Sequence, residues 1–238
     1  MNIQILVAMV LYIGAVIAIG LFYAKRASES TENFLIGGRS LGPWVTALAA
    51  EASDMSGWLL MGLPGVAYWM GLSDAFWTGI GLLIGTYVNW LFVAKRIRVY
   101  SEIAGNSITI PDFISKRFKE ENKVLMTLAA LFILVFFAVY AASCFVTVGK
   151  LFSTLFGFKY VYMMIAGAAF VILYTFVGGF LAESASDFMQ GIVMFFALVV
   201  VLATGISTAG GISPVLENAK LIPGFLEFFG IASPQLVD

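Results

Sequence analysis

Trp44–Leu63, WVTALAAEASDMSGWLLMGL, is an apolar stretch that carries Glu51, Ser53, Asp54 and Ser56 in its middle and is closed by Pro64 and Gly65. A helix needs about 20 residues to cross a bilayer, so the polar group falls near the centre of such a crossing. An acidic side chain at that depth costs about 2.5–3.5 kcal/mol on insertion scales. A lipid-facing anchor gives no reason for two such costs three residues apart. Carboxylates inside a membrane face a cavity or an ion route, so Asp54 is read as serving a cation pathway. Its plain alternative is a protonated or paired carboxyl that helps helices pack. Sodium needs several oxygen ligands, and an unbroken helix has its carbonyls already engaged. Unwinding a turn frees them, which a membrane tolerates where the backbone lines a cavity or an ion. Ala49, Ala50, Ala52, Ser53, Ser56 and Gly57 are small enough for such a break. Glu51, three positions before Asp54, lies on a similar helical face, and the two repel unless a cation or proton sits between them.

Other residues have both a chemical and a plain reading. Trp58 directly follows the expected break and either walls a substrate pocket or packs. Tyr140 offers an aromatic face with a hydroxyl, or ordinary interhelix packing. Asp187 closes a Ser-Ala-Ser-Asp run, which reads as a helix cap or as an acidic receiver for a departing cation. Arg39, just before the stretch, reads as an anchoring charge. Cys144 reads as a small buried apolar side chain rather than a reactive thiol.

These residues sit on a chain of 238 residues, 61% hydrophobic and only 11% charged, a composition of polytopic helical membrane proteins. The net charge of −1 gives no attraction to nucleic acid. A single cysteine excludes an internal disulfide, and the lack of histidine removes the usual zinc and general-base chemistry. No nucleophile–base pair or metal cluster stands out, so no enzyme and no cofactor is expected.

Six spans are predicted, at about 3–23, 44–67, 75–93, 124–152, 160–180 and 188–208, followed by a tail loop over 209–238. The first lacks the basic lead and cleavage site of a signal peptide and reads as a retained helix. In the third, Gly81 and Gly85 form a GxxxG pattern that admits a close neighbour. Between the third and fourth, Ile110-Pro111-Asp112-Phe113 predicts the start of a short surface helix. Lys25, Arg26 and Arg39 follow the first span, and Lys95, Arg96, Arg98, Lys116, Arg117, Lys119 and Lys123 follow the third. Lys150, Lys159 and Lys220 lie on the other side. The positive-inside rule then puts the first two groups in the cytoplasm and both the N-terminus and the tail outside.

Gly37-Gly38-Arg39-Ser40-Leu41-Gly42-Pro43, then Ala52-Ser53-Asp54-Met55-Ser56-Gly57-Trp58-Leu59-Leu60-Met61-Gly62-Leu63-Pro64-Gly65, closely resemble the sodium/solute symporter family. The similarity continues through Leu173–Ala182. The resemblance implies an all-α membrane fold of two inverted five-helix repeats, each with a broken first helix, after one extra N-terminal helix. The six spans fit the extra helix and the first repeat. It implies sodium-coupled uptake of L-proline across the cell membrane, with sodium held by the backbone carbonyls of Ala52 and Met55 and coupled through Asp54. Ser56, Trp58 and Tyr140 would lie near the substrate, and Arg39 and Asp187 would belong to the cytoplasmic gate and sodium release route. Family proline carriers often have serine at Ala49 and glycine at Glu51. The second repeat, with the remaining ligands, is expected from a longer chain. The competing readings are a symporter-like input domain of a sensory protein and a transport-inactive fragment.

Overall fold

The computed structural model describes residues 3–230, which fold into helices and turns without strands. Helix α1 spans Ile3–Ala27. The short α2, Thr31–Ile36, starts where the Ser30 side chain accepts a bond from the Asn33 amide. After a 3₁₀ turn, Gly37–Arg39, helix α3 runs over Pro43–Asp54.

The predicted second span is interrupted. Met55 and Ser56 are non-helical, and the chain re-enters a helix through a π-type turn, Trp58–Gly62, that leads into α4, Leu63–Met70. Pro64 explains the wide turn. It has no amide to give, and in a regular helix its ring would press on the carbonyl of residue 60. The Leu63 amide instead reaches back to the Trp58 carbonyl, which opens the turn there.

Helix α5, Leu72–Val88, a second π-type turn, Asn89–Ala94, and α6, Lys95–Ile103, form one continuous 32-residue helix, Leu72–Ile103. The predicted third span ended at 93. Lysine and arginine are good helix formers, and no glycine or proline intervenes before Gly105, so the helix carries its basic end onward. Gly81 and Gly85 face open space, and no neighbour among the described residues uses them for close approach. Helix α7, Ile110–Arg117, begins where expected: the Thr109 hydroxyl accepts from the Asp112 amide at 3.3 Å.

Helix α8, Val124–Phe156, starts under the Glu120 carboxylate, which accepts the Leu125 and Met126 amides at 2.6 and 3.3 Å. The first amides of a helix lack intrahelical partners, and its N-terminus favours an anion. Cys144, on α8, is half-buried rather than buried.

Helix α9, Tyr160–Thr208, has 49 residues but a non-helical joint at Gly179 (φ 57°, ψ −161°). Unbroken, it would be about 73 Å long, more than twice the hydrocarbon thickness. Gly179 divides it into two stretches, each of at least span length, about 20 residues. The predicted connection over 181–187 is absent, because the helix restarts at once. Leu181, Ala182, Ser184 and Ser186 are buried there instead.

Helix α10, Ile212–Lys220, lies in the predicted tail loop. The residues after it fold onto the start of α5: Leu72 donates to the Phe225 carbonyl at 2.7 Å, while Ser73 and Trp77 donate to the Phe228 carbonyl at 2.9 and 2.6 Å. The last part of that predicted loop, 231–238, lies outside the described residues.

Among the described residues, four helices are long and apolar enough to cross a membrane: Ile3–Ala27, Leu72–Ile103, Val124–Phe156 and Tyr160–Thr208. The chain groups into two compact units, Met1–Asp54 with Ser101–Ile192, and Met55–Tyr100 with Val193–Asp238. In the first, Val16, Ala27, Leu181 and Ala182 form a small core. Glycines bring α1 and α9 into backbone contact there: a Cβ on Gly178 would lie 3.1 Å from the Gly20 Cα.

Candidate functional site

The local chemistry of Ala52–Trp58 follows from its short polar side chains, which compete with the helix for backbone groups. Helix α3 stops at Asp54, and the Ser56 side chain accepts from the Trp58 amide at 3.3 Å while its carbonyl accepts from Leu59 at 3.1 Å. A helix C-terminus leaves its last carbonyls without intrahelical partners and carries about half a negative charge. The exposed Asp54 carboxylate adds a full charge at the same point. Ala52 is buried, and Met55 and Ser56 are half-buried. The segment therefore offers carbonyl, hydroxyl and carboxylate oxygens, the hard ligands an alkali cation takes.

Asp187 meets α3 from across the first unit. The Ser53 hydroxyl donates to Asp187 Oδ2 at 2.7 Å, linking residues 134 positions apart. Asp187 is not a helix cap, because α9 has been helical since Phe180 and leaves no free N-terminal amides for it to receive. Ser186 instead donates to the Glu183 carbonyl at 2.9 Å within the helix. Thr46, Ala49, Ala50 and Ser53 on α3 face Phe180, Glu183, Ser184 and Asp187 on α9, around a cavity of about 180 Å³. Both sets follow the i, i+3, i+4, i+7 spacing of one helical face. On α3 that spacing turns Glu51 away from α9. Near the far end of the same contact, a Cβ on Gly191 would lie 3.4 Å from the Leu48 carbonyl. Glu183 is the member of this cleft that the sequence reading missed. Its signal was present, as a carboxylate in an apolar helix one turn before Asp187.

Arg39 belongs to a different cluster. Its guanidinium donates to Ser101 Oγ, Asn106 Oδ1 and the Ser107 carbonyl, each at 3.1 Å, and pairs with Glu32 at 3.7 Å. Asn106 also donates to Glu32 at 3.1 Å. The Arg39 backbone is left-handed (φ 53°), which costs about 1–2 kcal/mol for a residue with a Cβ and is offset by these charge-assisted bonds. Arg39 is thus tied to the end of α6 and the loop that follows it, whereas Asp187 is bonded to α3.

Trp58 is 54% exposed, with its indole lying over Gly62 in the π-type turn. Tyr140 is 40% exposed on α8, edge-on to Phe137 with ring centres 6.2 Å apart, and its carbonyl accepts from Ser143 at 2.7 Å.

Residues 34–229 match the family model described as "Sodium:solute symporter family". A Staphylococcus aureus protein named "Sodium/proline symporter" is 44% identical over 228 residues, 96% of this chain and 44% of the relative. A Staphylococcus saprophyticus protein named "Sodium/proline symporter 2" is 44% identical over 226 residues, 95% of this chain and 44% of the relative. The chain therefore spans less than half the length of these curated relatives. No solved structure gives a significant match.

Proposed function

The chain belongs to the sodium:solute symporter family, and from that membership we propose that it forms the N-terminal part of a carrier that couples sodium entry to L-proline uptake across the cell membrane. The observation that carries this reading is the interruption of α3 at Asp54, which presents oxygen ligands inside a hydrophobic segment. The relatives' names describe transporters rather than enzymes.

In this reading sodium is cargo. The carbonyls of Ala52 and Met55 ligate it and Asp54 couples its binding to transport. Ser56, Trp58 and Tyr140 lie toward the proline pocket, and Arg39 and Asp187 belong to the cytoplasmic gate and release route. The membrane arrangement has six crossings. They are α1, the broken α3–α4 segment, α5–α6, α8, and the two parts of α9 on either side of Gly179. This is one extra helix and the first five-helix repeat of an inverted pair, with the second repeat supplied by the remainder of the carrier. The basic residues after α1 and at the end of α5–α6 face the cytoplasm, so the N-terminus and the tail face outward.

Alternating access would then expose the break to each side in turn. One charge moving down 100 mV releases about 2.3 kcal/mol, nearly fifty-fold in accumulation. The test is uptake of labelled L-proline by vesicles holding the complete carrier. An imposed sodium gradient drives accumulation, and replacing sodium with choline abolishes it. Uptake that is indifferent to sodium would refute the coupling, and uptake of a different solute with none of proline would refute the substrate.

A further inference from the structure

We propose that a groove between α1 and the first part of α9 holds one anionic phospholipid, with an acyl chain against Gly20 and the headgroup on Lys25. It requires only that these helices stand in a bilayer, and it is independent of sodium and of the transported solute.

Ile17, Gly20 and Leu21 on α1 and Phe170, Leu173 and Val177 on α9 line an apolar cavity of about 210 Å³ ahead of the Gly179 joint. Gly20 makes the recess: a Cβ there would meet only the Tyr174 carbonyl oxygen, at 3.9 Å. The space takes about seven water-sized groups at about 30 Å³ each, and an apolar cavity of this kind stays dry and binds hydrocarbon. Leu21 and Leu173 are each 65% exposed, so the groove opens onto the outer surface of the helix pair, where acyl chains lie.

Charge then selects the lipid. Ile17, Leu21 and Lys25 are spaced by four and share one helical face, with Lys25 about 6 Å beyond Leu21 along the axis. Side chains on a helix lean toward its N-terminus, which carries the Lys25 stem back over the Leu21 turn and leaves its ammonium at the level of the headgroups. Lys25 is exposed and belongs to neither ion pair among the described residues, Arg39–Glu32 and Lys116–Asp112. Glu29, one turn further on, instead accepts from the Asn33 side chain at 3.4 Å. An ammonium beside an open apolar groove is complementary to a headgroup of net negative charge that carries a hydrocarbon chain. A zwitterionic lipid fills the groove equally well but brings a cation of its own.

The test is native mass spectrometry of the purified complete carrier, titrated with phosphatidylglycerol or with phosphatidylcholine of the same chains. The expected result is a preference for phosphatidylglycerol of about fivefold, the share of one basic residue beside an anionic headgroup. Lys25→Gln should abolish that preference, Lys25→Arg should keep it, and Lys220→Gln should leave it unchanged. Val177→Phe, which fills the groove, should weaken both lipids alike. A benzophenone amino acid in place of Leu173, activated in native membranes, should label phospholipid. Equal binding of the two lipids by the wild type, or an unchanged preference in Lys25→Gln, would overturn the proposal. A crosslink from position 173 to another part of the carrier or to a second copy would overturn it too, by showing that protein covers the groove. The crosslink is read with Lys25 and Val177 in place, so it decides the matter even where one of those substitutions prevents folding.

Discussion

Replacing Gly179 with alanine tests the joint that divides α9. The backbone there (φ 57°, ψ −161°) falls in a region open essentially to glycine alone, and a residue with a Cβ held in it is strained by about 1–3 kcal/mol. The added Cβ would also lie 2.9 Å from both the Phe34 carbonyl oxygen and its ring, and 3.3 Å from the Ala27 Cβ. The carbonyl is backbone and cannot swing aside, so overpacking adds about 1–3 kcal/mol. The sum is about 2–6 kcal/mol, which lowers the unfolding midpoint. The assay is thermal unfolding of the complete carrier in mild detergent, followed by the fraction that stays monodisperse. Gly14→Ala is the control, because a Cβ there meets nothing within 4 Å and alanine is the better helix former by up to about 1 kcal/mol. The two variants should move in opposite directions. If Gly179→Ala matches or exceeds Gly14→Ala in stability, α9 is a continuous helix and its division into two crossings is wrong.

Arg39→Lys replaces a three-acceptor fork by a point charge and weakens the bonds to Ser101, Asn106 and the Ser107 carbonyl, so stability should fall by about 1–3 kcal/mol. Hydrogen exchange should rise over residues 104–110, and unchanged exchange would refute the assignment. Ser53→Ala removes the 2.7 Å bond to Asp187 and should raise the sodium concentration for half-maximal uptake by up to about tenfold, a loss of about 1.4 kcal/mol; an unaltered sodium dependence would remove Ser53 from the cation route. Trp77→Phe deletes the 2.6 Å bond to the Phe228 carbonyl, worth about 0.5–1.5 kcal/mol. Limited proteolysis should then cut more readily over 221–230, and equal cleavage would show that this contact does not hold the segment.

Local features of the fold were legible in the sequence. The break at Met55–Ser56 follows from polar and small residues placed in an apolar run, and the start of α7 follows from Thr109 and Pro111. Both depend on neighbours within a few positions. The partners of Asp187 and Arg39 were not legible, because Ser53 lies 134 positions from one and Ser101 and Ser107 lie more than 60 from the other. Ser184–Asp187 looked like a cap because its side chains are polar. They are polar because they line a cleft, and the i, i+3, i+4, i+7 spacing from Phe180 was the better guide. The tail looked like a loop because its contacts with α5 run through backbone carbonyls, which side-chain patterns do not reveal.

Glu51 sits on the side of α3 away from α9 and is exposed beyond its turn; nothing in the structure explains why a carboxylate stands there.

The claim on which the account depends is that the carboxylate at the broken helix couples sodium to transport. Labelled L-proline uptake should be measured against sodium concentration for the complete carrier and for Asp54→Asn, which keeps the side chain's size and removes its charge. The account predicts that Asp54→Asn folds and inserts normally but loses most of its sodium-stimulated uptake, with any remainder needing at least about tenfold more sodium. Wild-type uptake and sodium dependence in Asp54→Asn would contradict it.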